Sequence, residues 1–390
     1  MKKRVIGALC ALAIAAAMGC GRSISPGSAE AEIVLKPLEQ TQKVDDISPW
    51  VDAVEFVRIA DDAQVHPATV TKMLIDGRAN AFMIDDLNRV VAVPADGSRL
   101  TVIAQEECDG EGCRIISDMA LCGNELLVLV GHEIMRFDGD DFSLVRRDNV
   151  PIDLPCDALA PDGEGGMYLF SAFPKNLPEL PRGGNVTKVQ SGDEFMLYRL
   201  SPDGEVVDRY IPRDDCTLSL NNISQSSCGE YMLRPQNGNH IFYRLTADGI
   251  VPAYRVDFGS ENIPHRYYFD VAGEDLMSYI MSPYYKMPME LHETASHLFF
   301  RVAGPEAREV AVVYDRRSHV GIMWENAPGD MQMQILASDG KWFYAVMPET
   351  GGAEEGPHGP LYSYVRRALA EQEPDAAGHS YLVKIRFRKM

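Results

Sequence analysis

Basic side chains are scarce in this chain: its 390 residues hold 37 Lys and Arg against 57 Asp and Glu, a formal net charge of −20. Nucleic-acid binders neutralise phosphates with lysine and arginine, so this balance argues against a DNA or RNA partner and against direct adhesion to anionic lipid. Long apolar runs are also missing after Met18, so no later segment reads as a bilayer-spanning helix. There is no G-x-S-x-G elbow, no Walker loop and no G-x-G-x-x-G after a strand, which removes α/β-hydrolase and nucleotide chemistry. No C-x-x-C pair offers a zinc site. Nor do the acidic turns DGDD (138–141) and Asp193-Glu194 follow the D-x-D-x-D-G calcium pattern, and they read as solvated turn carboxylates. No metal and no cofactor is expected, and no catalytic residue can be singled out. Hydrophobic residues at 46% and charged residues at 24% are ordinary for a globular protein, which excludes disorder as a global description.

What is present begins at the N-terminus. Lys2, Lys3 and Arg4 precede an apolar run from Val5 to Met18, and Gly19 stands before Cys20. A basic start, a short apolar core and a small residue before the cut form a secretory signal, here over 1–19. The stretch AMGC resembles a bacterial lipoprotein cleavage site, with Ala17 where Leu is more usual. That resemblance implies that Cys20 becomes the acylated N-terminus, inserted in the lipid bilayer through its acyl chains. The polar, Pro/Gly-containing stretch that follows reads as a tether over 20–48, and the remainder, 49–390, as the folded body.

Six further cysteines, Cys108, Cys113, Cys122, Cys156, Cys216 and Cys228, lie between the N-terminal region and the last third. In an exported protein they permit disulfides. Cys108 and Cys113 bracket the loop CDGEGC, and Cys216 and Cys228 bracket a strand and its turn, so these are the favoured local pairs, leaving Cys122 with Cys156. Buried thiols in a large β core are the other reading.

The body is repetitive. YRLSPDGEVV from Tyr198 and YRLTADGIVP from Tyr243 are two copies of strand, Asp-Gly turn, strand, and weaker copies surround Asp96-Gly97 and Asp138-Gly139. Asp-Gly between alternating apolar residues is a strong hairpin signal. A second hairpin series has turn glycines at Gly77, Gly123, Gly165, Gly229, Gly273 and Gly340, spaced 46, 42, 64, 44 and 67 residues apart. With the longer gaps treated as insertions, one period holds four strands, and six periods predict an all-β, six-bladed propeller. The last unit, from Ile335, has a helix from Leu361 and a final strand SYLVKIRFRK but is one strand short. The strand VDAVEFVRIA near the N-terminus supplies it, so N-terminal strand and C-terminal blade are expected to close the ring.

The order of the VEFVRI strand, the MLIDGRANAFMIDD hairpin, the YRLSPDG unit and a helix before a basic C-terminal strand resembles the six-bladed β-propeller lipoproteins of Bacteroides-type bacteria, which are related in architecture to NHL-repeat propellers. Where members often carry a Gly-Pro-Gly-Glu-like turn before the second blade, this chain has CDGEGC, so a role for that loop does not carry over. The resemblance implies an outer-membrane lipoprotein, facing the periplasm or displayed at the cell surface.

His292, Glu293 and His297 are spaced by five rather than the four of a zinc-protease helix, and their segment reads as strand. The candidate ligand site is IPHRYYFDVAG with MSPYYKMPMELHE, which gathers His265, Arg266, Tyr267, Tyr268, Tyr284, Tyr285 and Lys286. Aromatic faces and an Arg fork suit a glycan or a peptide, although alternate tyrosines also pack between sheets. The expected function is therefore non-catalytic binding of a glycan, peptide or envelope protein. The alternative is a propeller enzyme, a lyase, lactonase or glycosidase, with a site built from distant loops.

Metabolic labelling with palmitate in a lipoprotein-processing bacterium should mark the wild-type chain. Cys20→Ala should lose the label and leave the membrane fraction; retained label would exclude Cys20 as the acceptor.

Overall fold

The structure is a computed structural model that describes residues 33–60, 70–106, 114–153, 155–172, 195–212, 223–227, 229–235, 240–264, 267, 276–286, 288–348, 357–373, 376 and 378–390. Six sheets, each with four antiparallel strands and two of them extended by a fifth, parallel one, are arranged as the blades of a propeller. Blade one spans 70–105, blade two 116–149, blade three 158–212, blade four 223–256 and blade five 288–326. Blade six takes three strands from 337–387 and its outermost strand, Val51–Arg58, from the other end of the chain.

Sequence pattern follows radial position. Middle strands are sandwiched between neighbouring blades and bury both faces, so Ala81–Asp85 and Arg89–Val93 are buried at every residue. The outer strand Leu144–Asn149 faces solvent and is exposed almost throughout. The inner strands touch one another from blade to blade. One apolar cluster links blades one to four, and another packs Met73, Met83 and Val91 of blade one against Trp342, Tyr344 and Leu382 of blade six. The ring is closed by apolar contact as well as by hydrogen bonds. The helix Pro360–Gln372 docks on blade six through Leu361, Tyr362, Val365 and Leu369.

Apart from the fifth copy of the first-turn series, the hairpins fall where the repeat places them. Gly77, Gly123, Gly165, Gly229 and Gly340 turn the first strand of a blade into its second, while Gly97, Gly139, Gly204 and Gly249 turn the third into the fourth. All these turns lie on one side of the ring, the turn face; blade-to-blade connections lie on the other, the crossover face. The fifth copy is different. Gly273 lies outside the described residues, and Leu276–Ile280, read from sequence as part of that hairpin, is a short helix. Blade five begins instead with Pro288–Glu293 and His297–Ala303. Their turn contains no glycine: Thr294 Oγ1 accepts from the His297 backbone N–H at 2.9 Å, while the Thr294 N–H donates to the His297 carbonyl at 2.8 Å. A threonine side chain does here what glycine does elsewhere, so a glycine-phased repeat misses it.

Closure pairs Val51–Arg58 antiparallel with the C-terminal strand Tyr381–Phe387, from Arg58 opposite Tyr381 to Val54 opposite Ile385. The turn of blade one buttresses this seam. Gly97 has φ +69° and packs so tightly on the Arg58 carbonyl that a Cβ would collide with backbone, and its own carbonyl accepts from Ala60 N at 3.0 Å.

The segment before Val51 departs from the expected tether. Ile33–Leu35 pairs in parallel with the outer strand of blade four, and Thr41–Lys43 in parallel with that of blade five. Leu35 and Ile47 are buried. Residues 33–48 thus form a belt that covers two blade edges before the chain enters blade six. Three-residue strands without strong alternation carry too little pattern to be seen in sequence, yet an uncovered edge exposes a row of unpaired backbone groups.

Removal of residues 1–32 should leave the denaturant midpoint unchanged. Extending the truncation through residue 48 should destabilise the fold by several kcal/mol, because burial of side chains such as Leu35 and Ile47 contributes about 1.5–3 kcal/mol each, and should promote aggregation through the bared edges. Equal midpoints for the two truncations would show that the belt contributes nothing.

Candidate functional site

The axis of the ring is bridged. Blades one and four lie opposite each other, yet Ile75 N donates to Gln225 Oε1 at 3.0 Å, and Gln225 Nε2 donates back to the Ile75 carbonyl at 3.3 Å. Lys72 of blade one reaches the Ile223 carbonyl at 3.3 Å and forms a buried ion pair with Asp118 of blade two. Asp118 Oδ2 in turn accepts from Leu159 N of blade three at 2.8 Å. From blade six, Ser338 Oγ lies 2.6 Å from the Ser226 carbonyl and 2.8 Å from that of Glu293. The inner strand of blade four, Ile223–Ser227, is therefore tied to other blades across the centre by polar side chains, where a larger ring would leave an open channel.

A pocket remains beside this strand, where the inner strands begin and hence towards the crossover face. Thr71, Lys72, Ser224, Gln225, Glu290 and His292 supply its polar lining, with Met73, Ile223, Ile335 and Leu336 around them. Its cavity volume of about 30 Å³ holds roughly two water molecules or one group of comparable size, and no sugar ring.

The pocket is built from strand alternation. Glu290 and His292 stand two apart on one strand and so face the same side. Arg301 Nη2 donates to both Glu290 oxygens at 3.0 Å, and its Nη1 donates to Glu309 at 2.9 Å. Burial raises the Glu290 carboxyl, but the positive charges of Arg301 and Arg234 outweigh it and hold the group below its ordinary value. Burial raises Asp118 despite the pull of Lys72. At His292 burial lowers the imidazole to about 4, against the opposing effects of the Glu290 charge and the backbones of Gln225 and Ile335. The ring is neutral at pH 7. Its Nδ1 lies 3.2 Å from the Gln225 carbonyl, which can only accept, so Nδ1 carries the proton. Nε2 is fully buried and makes no hydrogen bond of good geometry.

The aromatic set expected from sequence is divided by the fold. Tyr285 is core, stacked on Phe258 with centroids 4.1 Å apart and rings 1° from parallel. Tyr267 and Tyr284 are half-buried and pack edge to face at 5.4 Å. Lys286 is buried and donates to the carbonyls of Ser282, Tyr284 and Gly304, which makes it a clamp for its own loop. His265, Arg266 and Tyr268 lie outside the described residues. The loop packs on the turn that follows His297–Ala303, where Glu306 N donates to the Ser282 carbonyl at 3.2 Å and Lys286 Nζ to that of Gly304, and none of its described residues lines the pocket. On the helix Leu276–Ile280 and just after it, Met277 and Met281 are exposed.

His292 and His297 lie on adjacent strands, as read from sequence; His297 Nε2 donates to the Arg388 carbonyl at 2.8 Å. Among the described residues no group of three or more His, Cys, Asp or Glu is placed to hold a metal ion. Cys122 is a free thiol, so the pairing of Cys122 with Cys156 is not formed. The two side chains belong to different blades, and burial in apolar surroundings pushes the Cys156 thiol up to about 12. Cys108, Cys113, Cys216 and Cys228 lie outside the described residues.

Lys72, Asp118, Gln225 and Glu290 were not singled out by sequence reasoning. A faint signal exists, a charged or amide side chain inside an otherwise apolar inner strand, but nothing local says that such strands converge.

No family model matches the chain, and no match is found among curated proteins. Among solved structures, a Bacteroides fragilis protein described as exported superposes with a TM-score of 0.65 over 92% of this chain and 99% of its own, at 14% identity. The extracellular domain of a one-component system from B. thetaiotaomicron covers 76% of this chain and 32% of its own length, at 11% identity and a TM-score of 0.36. The first shares the propeller fold, and at such identity the likeness is one of fold alone. The second superposes too loosely to bear on the site.

Two outcomes follow from the buried charges. Lys72→Met should cost about 3–5 kcal/mol by stranding Asp118, whereas Lys72→Met with Asp118→Leu should recover much of that loss; an unaltered midpoint in the single variant would show that the ion pair is dispensable. His292, lowered in the fold relative to an unfolded histidine near 6.5, stabilises fully above that value and progressively less as pH falls towards 4. Denaturation midpoints should therefore drop more steeply between pH 7 and 5 for the wild type than for His292→Asn.

Proposed function

We propose that the chain is an exported, lipid-anchored propeller of the bacterial cell envelope, which binds a glycan, peptide or protein partner on its crossover face without chemical turnover. The observation that carries this reading is the small polar pocket at that face, lined by Thr71, Lys72, Ser224, Gln225, Glu290 and His292, together with exposed Met277 and Met281 on a separate loop. The ionisable groups around it are committed to one another. Lys72 holds Asp118, and Arg301 holds both Glu290 and Glu309. A general acid needs a carboxyl whose proton is available and a base needs one that is free, and such locked pairs suit recognition better than proton transfer. Exposed methionines and half-buried tyrosines supply adaptable apolar contact of the kind used to hold a ligand.

An envelope location is supported by the basic, apolar and Gly19-Cys20 pattern at the N-terminus and by the fold shared with an exported Bacteroides fragilis protein. The acidic surface keeps the body away from anionic headgroups, so acyl chains on Cys20 would supply the membrane attachment.

Affinity-tagged protein recovered from envelope membranes should retain a ligand or partner after detergent extraction. Tyr284→Ala and Met277→Ala with Met281→Ala should lower its recovery at least about fivefold while thermal melting stays within a few degrees of wild type. Undiminished recovery with both variants would remove the loop from the binding surface, and multiple turnovers on a glycoside or lactone panel would replace binding with catalysis.

A further inference from the structure

Charge is spread unevenly over the turn face. On the hairpin turns of blades two and three, Asp141, Glu164, Asp203 and Glu205 are exposed and make no ion pair among the described residues. The aspartates that build those turns are already used: Asp138 accepts from the backbone N–H groups of Asp140 and Asp141, and Asp162 from those of Glu164 and Gly166. On blades five and six the sign reverses. Arg317, Lys341, Arg388 and Lys389 are exposed, and they too make no ion pair among the described residues. Asp315 and Asp339 beside them are again turn builders, accepting from the backbones of Arg317 and Ser318 and of Lys341 and Trp342. These basic segments adjoin: Ala295 N of blade five donates to the Gly340 carbonyl of blade six at 2.6 Å, and Met390 N donates to Asp315 Oδ2 at 3.1 Å. By contrast, exposed Arg114 is matched with Glu133 and exposed Arg308 with Glu325.

In a ring of six, blade two lies opposite blade five and blade three opposite blade six, so the two sets of charges stand across the axis from each other. Four strands at about 4.8 Å spacing set the outer turns of opposite blades roughly 30 Å apart, beyond the reach of any side chain. The two sets therefore cannot neutralise each other within one molecule. We propose that the turn face is the docking surface for a second copy of this chain, the two rings stacking face to face about a two-fold axis that runs through blades one and four. That operation lays the acidic half of each copy, blades two and three, on the basic half of the other, and such self-complementarity is what a closed two-fold contact requires. Blades one and four meet their own counterparts, and their first turns are balanced: Arg78 is paired with Asp76, and Arg244 with Glu230. The formal charge of −20 opposes association, but at physiological ionic strength screening limits its action to about 8 Å from the contact, where opposite signs meet. Exposed charge pairs are individually weak, so the expected dissociation constant is roughly 10–100 micromolar. The stacked pair does not depend on the binding role of the crossover face, and it leaves that face open at both ends.

The test is sedimentation velocity on the full chain in non-ionic detergent, beside the Cys20→Ala chain, which reveals any association carried by acyl groups. At about 150 mM salt both should form a dimer and nothing larger as concentration rises, and about 1 M salt, where the Debye length is near 3 Å, should weaken it at least about tenfold. Arg317→Glu with Lys389→Glu should weaken it by a similar factor, and so should Asp203→Lys with Glu205→Lys, since each variant sets like charges against each other in both halves of the contact. Mixed together, the two variants should pair again, because the native acids of one chain meet the native cations of the other and the reversed sets meet each other. All four positions are exposed, and thermal melting verifies that each variant folds. Should one not fold, carbodiimide cross-linking of the wild type decides: a peptide joining Lys341 or Lys389 to Asp203 or Glu205 can arise only between copies. A monomer at every concentration up to about 500 micromolar, a dimer indifferent to salt and to the charge reversals, no recovery in the mixture, growth beyond a dimer, or association confined to the acylated chain would each overturn the stacked pair.

Discussion

Every blade of this propeller buries both faces of its middle strands, and that is possible only if each blade has a neighbour on either side. The constraint falls hardest on blade six, whose last strand must come from the opposite end of the chain. Pairing of Val51–Arg58 with Tyr381–Phe387 meets it, and the contact of Tyr344 and Leu382 with Met73 and Val91 gives blade one its second neighbour. The Gly97 turn resting on Arg58 belongs to the same seam, since only a residue without Cβ lets the two backbones approach. The belt answers a related problem at the rim, where blades four and five would otherwise present open edges.

Closure of the ring brings six inner strands together, and the polar residues on them then have nowhere to go but toward one another. Gln225, Lys72, Asp118 and Ser338 resolve this by hydrogen-bonding across the axis, which ties blades one, two, three, four and six into a single network. Some buried polar atoms stay outside it, among them Ser226 Oγ, Arg301 Nε and His292 Nε2. His292 joins the network through one ring nitrogen, 3.2 Å from the Gln225 carbonyl.

The candidate site was only partly legible. The loop around Tyr267 and Tyr284 stood out because aromatic and basic residues are dense there, but density does not tell packing from recognition: Tyr285 and Phe258 stack inside the structure, and Lys286 is spent on three carbonyls. Lys72 and Asp118 are 46 residues apart, and Gln225 and Ile75 are 150 apart, so no local spacing announces their meeting. Of the pocket residues, His292 drew notice only as half of an ill-spaced metal motif. Its use depends on what stands opposite each nitrogen, which is a property of neighbouring blades.

The hairpin glycines and the alternation of apolar residues determined by themselves that this chain makes six four-stranded sheets closed by its two ends, because turn geometry and strand period are local and repeat with the blade. Blade five shows the limit of that reading, since Thr294 replaced the glycine that marks the others. The belt over 33–48, the bridged axis and the small polar pocket beside Gln225 were decided only by tertiary structure. Each depends on which edges and side chains the closed ring brings face to face, and that pairing is long-range, set by the circle rather than by any one stretch of residues.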